Sequence, residues 1–410
     1  MKNSSSLQQK LINVTVGKSG LVDKKEAENA IGEYFNKAFS AADIKNLEYI
    51  SSAVSLNSIS FLIEFEFERK TTKAFGKVHI ESNTKSVSPL GAEEEYLNAE
   101  LLEKNGWPVL KPILKSENNN YPLLLYPKVE NKTLFQKLEN SFKEKRNLVT
   151  QKDLTNLDNM NKIIWQAEER SIENLSAEEA NNSPVQTLFL RRVEKGARID
   201  QWYKGNAKIE NLKTTFGEIK NKEWIINGVR YKTTLEEILN KIREIFKFQN
   251  EAPSAIMHGD DHAGNIFLKN EQAIVFDPAF AGRNPLVLGN IKSLAHNSYL
   301  QIAGMYYETG ITSEYKISEN YIETNWDFEN SYMFETLERI AKSNITQKIL
   351  PGLKYIGETE KSIRFLKATL ASCALLTINP MEIKRPNNLF EMAILFYNLG
   401  GFESLNIIEN

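Results

Sequence analysis

The residues from Ile256 to Gly282, IMHGDDHAGNIFLKNEQAIVFDPAFAG, decide how the rest of the chain is read. Two short apolar runs, Ile266-Phe267-Leu268 and Ala273-Ile274-Val275-Phe276, flank the turn-forming Lys269-Asn270-Glu271-Gln272. Before them lies the polar loop His258-Gly259-Asp260-Asp261-His262-Ala263-Gly264-Asn265, entered from Met257, and Asp277 closes the second run. The pattern predicts strand, loop, strand, turn and returning strand, with Asp260, Asn265 and Asp277 able to meet at one end of a hairpin.

Phosphoryl transfer needs such a set. One carboxylate orients or deprotonates the attacking hydroxyl, here Asp260, and hard oxygen ligands hold magnesium against nucleotide phosphates, here Asn265 and Asp277. The spacing of Asp, four residues, Asn, then Asp after a hairpin is that of kinases. Taken singly, each residue has a plainer reading: an Asp in a glycine-containing loop is usually a turn residue, and an Asn before a strand is usually a cap. Their joint placement points to chemistry. A rival reading makes His258, Asp260, Asp261 and His262 a zinc or dinuclear hydrolytic cluster. With His79 and His296 the chain has only 4 His, which argues against it. His258 reads as a hydrogen-bonding brace of the loop, and His262 as either loop packing or a substrate contact.

These residues resemble the signature of the aminoglycoside phosphotransferase and choline kinase group, small-molecule kinases that share the protein-kinase-like fold. The signature runs His-Gly-Asp, two residues and a variable His position, Gly-Asn, then an apolar strand and Asp. The resemblance implies an α+β, bilobal fold with a small β-rich amino-terminal lobe and a larger, mainly helical carboxy-terminal lobe. It also implies ATP and magnesium as cofactors and a small-molecule hydroxyl acceptor. One departure is Pro278-Ala279-Phe280 directly after Asp277, where relatives usually carry Trp or another large residue. That leaves the substrate class open and the metal residues in place.

In such a fold the second strand of the amino-terminal lobe carries the lysine that pairs the nucleotide phosphates. Here Ile59, Phe61, Ile63, Phe65 and Phe67 alternate with polar residues as a half-buried strand. A turn is expected at Lys70 to Lys73, and a second strand at Phe75 to Ile80. Lys77 is therefore the candidate, against the plain reading of a solvated strand lysine. In the helix Glu93 to Leu102, Glu95 shares a stripe with Ala99 and Leu102 and could reach Lys77; Glu94 is the alternative. The glycine-free loop Ala53 to Ser58 takes the place of a phosphate-covering loop. Ser55 and Ser58 could donate there, or simply lead into the strand. Leu123 to Glu130 resembles the strand and hinge that receive adenine, through backbone near Tyr126 and Lys128. Pro127 has no N–H, so Lys128 or Val129 would be the donor.

The domain reading is a loose polar arm over 1–20, a nucleotide-binding lobe over 21–130, and a helical lobe over 131–410. The last carries the catalytic loop at 256–282 and an insertion at about 143–250. Within the insertion, Asn227-Gly228 predicts a tight hairpin and Leu235 to Phe246 an amphipathic helix. Phe189 to Tyr203 concentrates cations and aromatics suited to an anionic or sugar-like acceptor; the alternative is a solvated helix face. Pro285 to Leu300 and Tyr321 to Leu395 read mostly as helices.

Of 410 residues, 41% are hydrophobic and 25% charged, which places the chain among globular proteins rather than disordered ones. A net charge of -2 argues against a nucleic-acid partner. The lone Cys373 excludes an intrachain disulfide, and no apolar run approaches a signal core or a membrane span. A cytoplasmic location is the expectation. The competing function class is a non-catalytic kinase-like protein that binds nucleotide or ligand and regulates a partner. The glycine-free loop favours it, while the Asp260, Asn265 and Asp277 set favours catalysis.

Overall fold

The alternating run at Ile59 organises a five-stranded antiparallel sheet. Its strands are β1 (Asp43–Tyr49), β2 (Ser58–Phe67), β3 (Lys70–His79), β4 (Leu114–Lys115) and β5 (Leu123–Pro127), in spatial order β1-β2-β3-β5-β4. The structure, a computed structural model, describes residues 6–15, 23–50, 58–79, 91–116, 118, 120–311, 313–357 and 359–409. The chain divides into two compact units. The first is Met1–Glu103, Val109–Glu130 and Phe276–Ala279; the second is Lys104–Pro108, Asn131–Val275 and Phe280–Asn410. Helices and small, mostly antiparallel sheets occur together, an α+β architecture.

In the first unit Ile59, Phe61, Ile63 and Phe65 of β2, with Ala74 and Val78 of β3, face helix α2 (Lys24–Ala38) through Ala30, Ile31, Tyr34 and Phe35. Asp23 starts α2 by accepting from the N–H groups of Lys25 and Glu26. Residues 6–15, expected to belong to a loose arm, form helix α1 (Ser6–Thr15). Leu7 and Leu11 lie one turn apart and are buried in the same core, which gives the segment a reason to fold. The turn expected at Lys70 to Lys73 forms instead at Glu68 and Arg69, whose φ values of 52° and 65° suit a tight two-residue hairpin. Neither is a residue that favours such a backbone, so the turn is set by strand pairing rather than by local preference.

The second unit carries the loop. Strand Ala252–Met257 pairs antiparallel with Gly282–Pro285 and with Glu173–Leu175. The hairpin Ile266–Leu268 and Ala273–Val275 follows in register. Helices α4 (Leu134–Glu144) and α5 (Gln151–Arg170) begin with capping boxes at Thr133 and Thr150. Asn227 and Gly228, with φ of 51° and 79°, turn the hairpin Glu223–Ile226 and Val229–Tyr231. Tyr321–Trp326, expected within a helical stretch, is a strand that runs parallel to Glu223–Ile226 and antiparallel to Ser313–Ile317. Its Ile322, Thr324 and Trp326 alternate as buried residues, a period of two. Among the described residues no helix is long and apolar enough to cross a membrane.

Along β3, Ala74, Gly76 and Val78 face the core, whereas Phe75, Lys77 and His79 take the opposite face. Gly76 pairs directly with Phe61, and a Cβ built there would lie 2.1 Å from the Phe61 ring. Gly76→Ala is therefore expected to cost about 1–3 kcal/mol by displacing that ring. Urea unfolding of the variant beside the parent measures it, and an unchanged midpoint would contradict the packing.

Candidate functional site

In the first unit the residue alternation of β3 puts Lys77 and His79 over helix α3 (Ala92–Lys104). Lys77 Nζ lies 2.7 Å from Glu95 Oε2 and 2.6 Å from Asp277 Oδ1. Glu95, 1% exposed, is also met by His79 Nε2 at 2.8 Å and accepts from the Tyr126 hydroxyl at 2.6 Å. Burial alone would lower the Lys77 pKa, but the Asp277 and Glu95 carboxylates outweigh it and hold it above the usual lysine range. Burial likewise opposes ionisation of Glu95, and Lys77 and His79 more than reverse that. Glu94, the alternative partner, is occupied at the start of α3 with the Gly91 N–H.

Asp277 is aimed by its neighbours. Phe276 packs edge-on against Phe75 and Tyr126, at centroid distances of 6.5 and 6.3 Å, which anchors the chain on the Lys77 face of the sheet. Asp277 itself has φ 61°, a left-handed backbone uncommon outside glycine and asparagine. The Asn98 side chain of α3 donates to the Pro278 carbonyl at 3.0 Å and fixes the residue that follows.

The other expected nucleotide residues fall differently. Ser55 lies outside the described residues. Ser58 is buried as the first residue of β2, paired with His79 in the sheet. Tyr126 uses its backbone in the pairing with β3 and its hydroxyl on Glu95. The Lys128 N–H, expected to face adenine, donates to the Lys73 carbonyl at 3.3 Å because the strand pairing extends one residue past Pro127. Of the two proposed hinge donors, that leaves Val129.

In the second unit the loop after Met257 turns at Gly259, where φ is 77° and a Cβ would lie 2.6 Å from the Phe280 carbonyl oxygen. Only glycine fits this approach. The buried His258 accepts the Asp260 N–H on Nδ1 at 3.3 Å, bracing the loop, while Trp107 Nε1 donates to the Ile256 carbonyl at 3.2 Å. His262 Nδ1 accepts from Gly264 N–H at 3.0 Å and so caps the short turn Ala263–Asn265. The Asn265 amide donates to the Asp260 carbonyl at 3.0 Å, which turns its side-chain oxygen away as an acceptor.

Consecutive aspartates are claimed by different lysines. Asp260 is ion-paired with Lys292 of helix Ile291–Asn297. Asp261 is ion-paired with Lys348 at 2.8 Å, both side chains wholly enclosed, and Lys348 also donates to Ser293 Oγ at 2.7 Å. Burial disfavours the Asp260 anion, but Lys292, with His262 after it, holds its pKa below the usual carboxylate range. Lys348 sits in the π turn Ile345–Ile349, closed by Leu350 N–H to the Ile345 carbonyl. Pro351 follows in the first turn of helix Leu350–Ile356, where its missing N–H costs no hydrogen bond. Nearby, Glu168 of α5 is fully buried and accepts from Asn290 Nδ2 at 2.8 Å. Its pKa is pushed up to about 8, by burial first and by Asp261 in addition, against the pull of Lys348. Cys373 is buried in helix Thr359–Leu376, and burial pushes its thiol up to about 12.

The structure thus brings together Lys77, Glu95, Tyr126 and Asp277 in one unit, and His258, Asp260, His262 and Asn265 in the other. The rival zinc cluster is not assembled: Asp261 points to Lys348, and both loop histidines use Nδ1 on backbone N–H groups. Among the described residues no group of three or more His, Cys, Asp or Glu could hold a metal ion. Asp277 in the first unit, with a side chain 30% exposed, and Asn265 in the second each carry an oxygen of the hard kind that magnesium takes. Lys292, Lys348 and Glu168 were not expected from the sequence. Lys348 stands beside Thr346 and Gln347 between Ile345 and Ile349, a mixed stretch that gives no local sign of a buried charge.

No protein-family model matches the chain, and no curated protein matches it in sequence. Among solved structures it is similar to a choline kinase from Cryptosporidium parvum Iowa II, with 10% identity, 88% of each chain covered and a TM-score of 0.36. A likeness of that size decides nothing about activity, which has to be read from the site's own residues.

Two outcomes check the buried network. Lys348→Met strands the Asp261 charge and should cost about 3–5 kcal/mol, much of it recovered when Asp261→Asn is added; denaturant midpoints of the two variants read this. Glu168 keeps its proton in the folded state up to a pH of about 8, whereas the unfolded chain loses it near the ordinary value of 4.5. Across that window the folded state binds more protons, so stability should fall as pH rises. Glu168→Gln should flatten the decline in a melting-temperature series from pH 5 to 9.

Proposed function

We propose that the protein is an ATP-dependent small-molecule kinase of the aminoglycoside phosphotransferase and choline kinase type, moving the terminal phosphoryl group of ATP to an acceptor hydroxyl. The observation that supports this most is Lys77 held between Glu95 and Asp277, residues far apart in sequence. A lysine kept charged and fixed between two carboxylates is suited to nucleotide phosphates. Glu95, itself fixed by His79 and Tyr126, positions Lys77. Asn265 and Asp277 are the proposed magnesium ligands, and the Val129 backbone is the proposed contact for adenine. When bound, MgATP supplies the transferable phosphoryl group and a cation that neutralises charge developing on it. Asp260, anionic at neutral pH, orients the acceptor hydroxyl and receives its proton late in transfer.

One observation favours a second reading, a non-catalytic kinase-like binding protein: Asp260 is already paired with Lys292, and a carboxylate so held is a weaker base. The test is product formation from MgATP and pooled hydroxyl compounds. Asp260→Asn should keep MgATP affinity and lower transfer by about 10²–10⁴-fold, whereas Asp277→Ala should abolish magnesium-dependent nucleotide binding in calorimetry. A parent that binds MgATP yet phosphorylates nothing, with Asp260→Asn indistinguishable from it, would leave the binding protein as the reading.

A further inference from the structure

The segment Phe189 to Tyr203 resolves into the short helices Leu190–Val193 and Arg198–Trp202; Asp200 and Gln201 are exposed, whereas Arg192, Arg198 and Tyr203 bond inward. Arg192 Nη1 donates to the Leu376 carbonyl at 3.1 Å. Arg198 Nη1 donates to Leu376 and Thr377 at 3.0 and 3.1 Å, and the Tyr203 hydroxyl donates to Leu375 at 2.6 Å. These bonds tie the segment to the end of helix Thr359–Leu376. From there contacts lead directly to the loop: Thr377 Oγ1 lies 3.3 Å from His296 Nε2, and the His296 ring is 6.3 Å from that of His262. His296 is also one helical turn beyond Lys292, the partner of Asp260.

Charge in this group does not balance. Arg192, Arg198 and Lys292 are three cations, and among the described residues Asp260 is the carboxylate that acts on Arg192 and pairs with Lys292. Neighbouring acids are engaged elsewhere: Asp200 with Arg243, Glu194 with Arg191, and Asp261 with Lys348. Arg192 Nε is sealed from solvent and has no hydrogen-bond partner among the described residues. A buried guanidinium N–H without an acceptor costs free energy that an arriving oxyanion would recover. Burial and then the Arg198 charge push the Arg192 pKa down, to about 9, the direction expected of a cation short of counter-charge. His296 adds no cation, since burial and then Lys292 hold it well below the usual histidine range. The Trp202 face, which could receive an ammonium group, is covered by the Arg198 guanidinium at 5.2 Å from the ring centroid.

We propose that the acceptor is an anionic hydroxyl compound, its carboxylate or phosphate monoester bound by Arg192 with support from Arg198, and its hydroxyl presented to Asp260. This rests on the kinase reading for the transfer step, though not for the binding of the anion. Guanidinium groups match both oxyanions with paired N–H donors, and the same cations disfavour an amino alcohol or an aminosugar. In the reaction the acceptor oxygen forms the new bond to phosphorus, ADP leaves, and the hydroxyl proton passes to Asp260 and then to water.

Matched acceptor pools test the class: hydroxy and sugar acids, sugar and polyol phosphates, neutral sugars and polyols, and amino alcohols with aminosugars. ADP release is expected from one of the two anionic pools, and which one separates carboxylate from phosphate. For that acceptor Arg192→Met should raise KM by about 10–100-fold, the loss of a charge-assisted hydrogen bond, with kcat changed far less; Arg192→Lys should recover part. Turnover confined to the neutral or cationic pools overturns the proposal. A second measurement needs neither ATP nor a known acceptor: the rise in melting temperature of the full chain with inorganic phosphate. The parent should gain more than Arg192→Met and Arg198→Met, each compared with its own ligand-free melt. Equal gains in all three overturn the proposal, whichever way the pools behave. Failure of the kinase reading looks different, as absent MgATP binding with the phosphate difference intact.

Discussion

The enclosed ion pair between Asp261 and Lys348 is the contact that orients the second unit's loop after Met257. Removing both charges from water is tolerable only while each has the other, so the pair holds the loop against the helical turn that carries Lys348. Orientation follows from that. With Asp261 turned inward, its neighbour Asp260 is presented on the other side of the loop, where Lys292 meets it. Lys348 is delivered from a π turn, so a local departure from α geometry accompanies the side chain that meets the loop.

The first unit uses similar physics with different parts. A period of two along β3 sends Gly76 to the core and Lys77 to the opposite face, and α3 supplies Glu95 at helical spacing. Phe276 then anchors Asp277 beside the lysine through ring packing, and the left-handed backbone at Asp277 completes the aim. In both units the charged side chains are partly dehydrated and held by opposite charge. Little reorganisation is then needed when a charged ligand arrives.

Much of this was legible because it follows local period or turn chemistry. The Ile59 to Phe67 alternation, the Glu95 stripe and the Asn227-Gly228 turn are such cases. Strand β1 was not, because its register shifts between Ile44 and Asn46 and the bulge breaks the alternation of Ile44, Leu47 and Tyr49. The Glu68-Arg69 turn lacks the residues that favour positive φ. Tyr321–Trp326 needed a partner strand from the insertion to be recognisable as a strand. Lys348 lies 87 residues from Asp261, and no short-range pattern links a buried charge to a partner that far away. The cation-rich segment at Arg192 stood out in its composition, but only its contacts with the end of helix Thr359–Leu376 distinguish it from a solvated face.

Cys373 gives this chain a clock of its own. As the only cysteine, buried and with its thiolate disfavoured until a pH of about 12, it should be inert to alkylation while helix Thr359–Leu376 stays closed. Any labelling of the folded protein near pH 8 then counts openings of that helix, the element on which the arginine segment is hung. The opening can be timed with one reagent and a mass spectrometer, with no engineered probe.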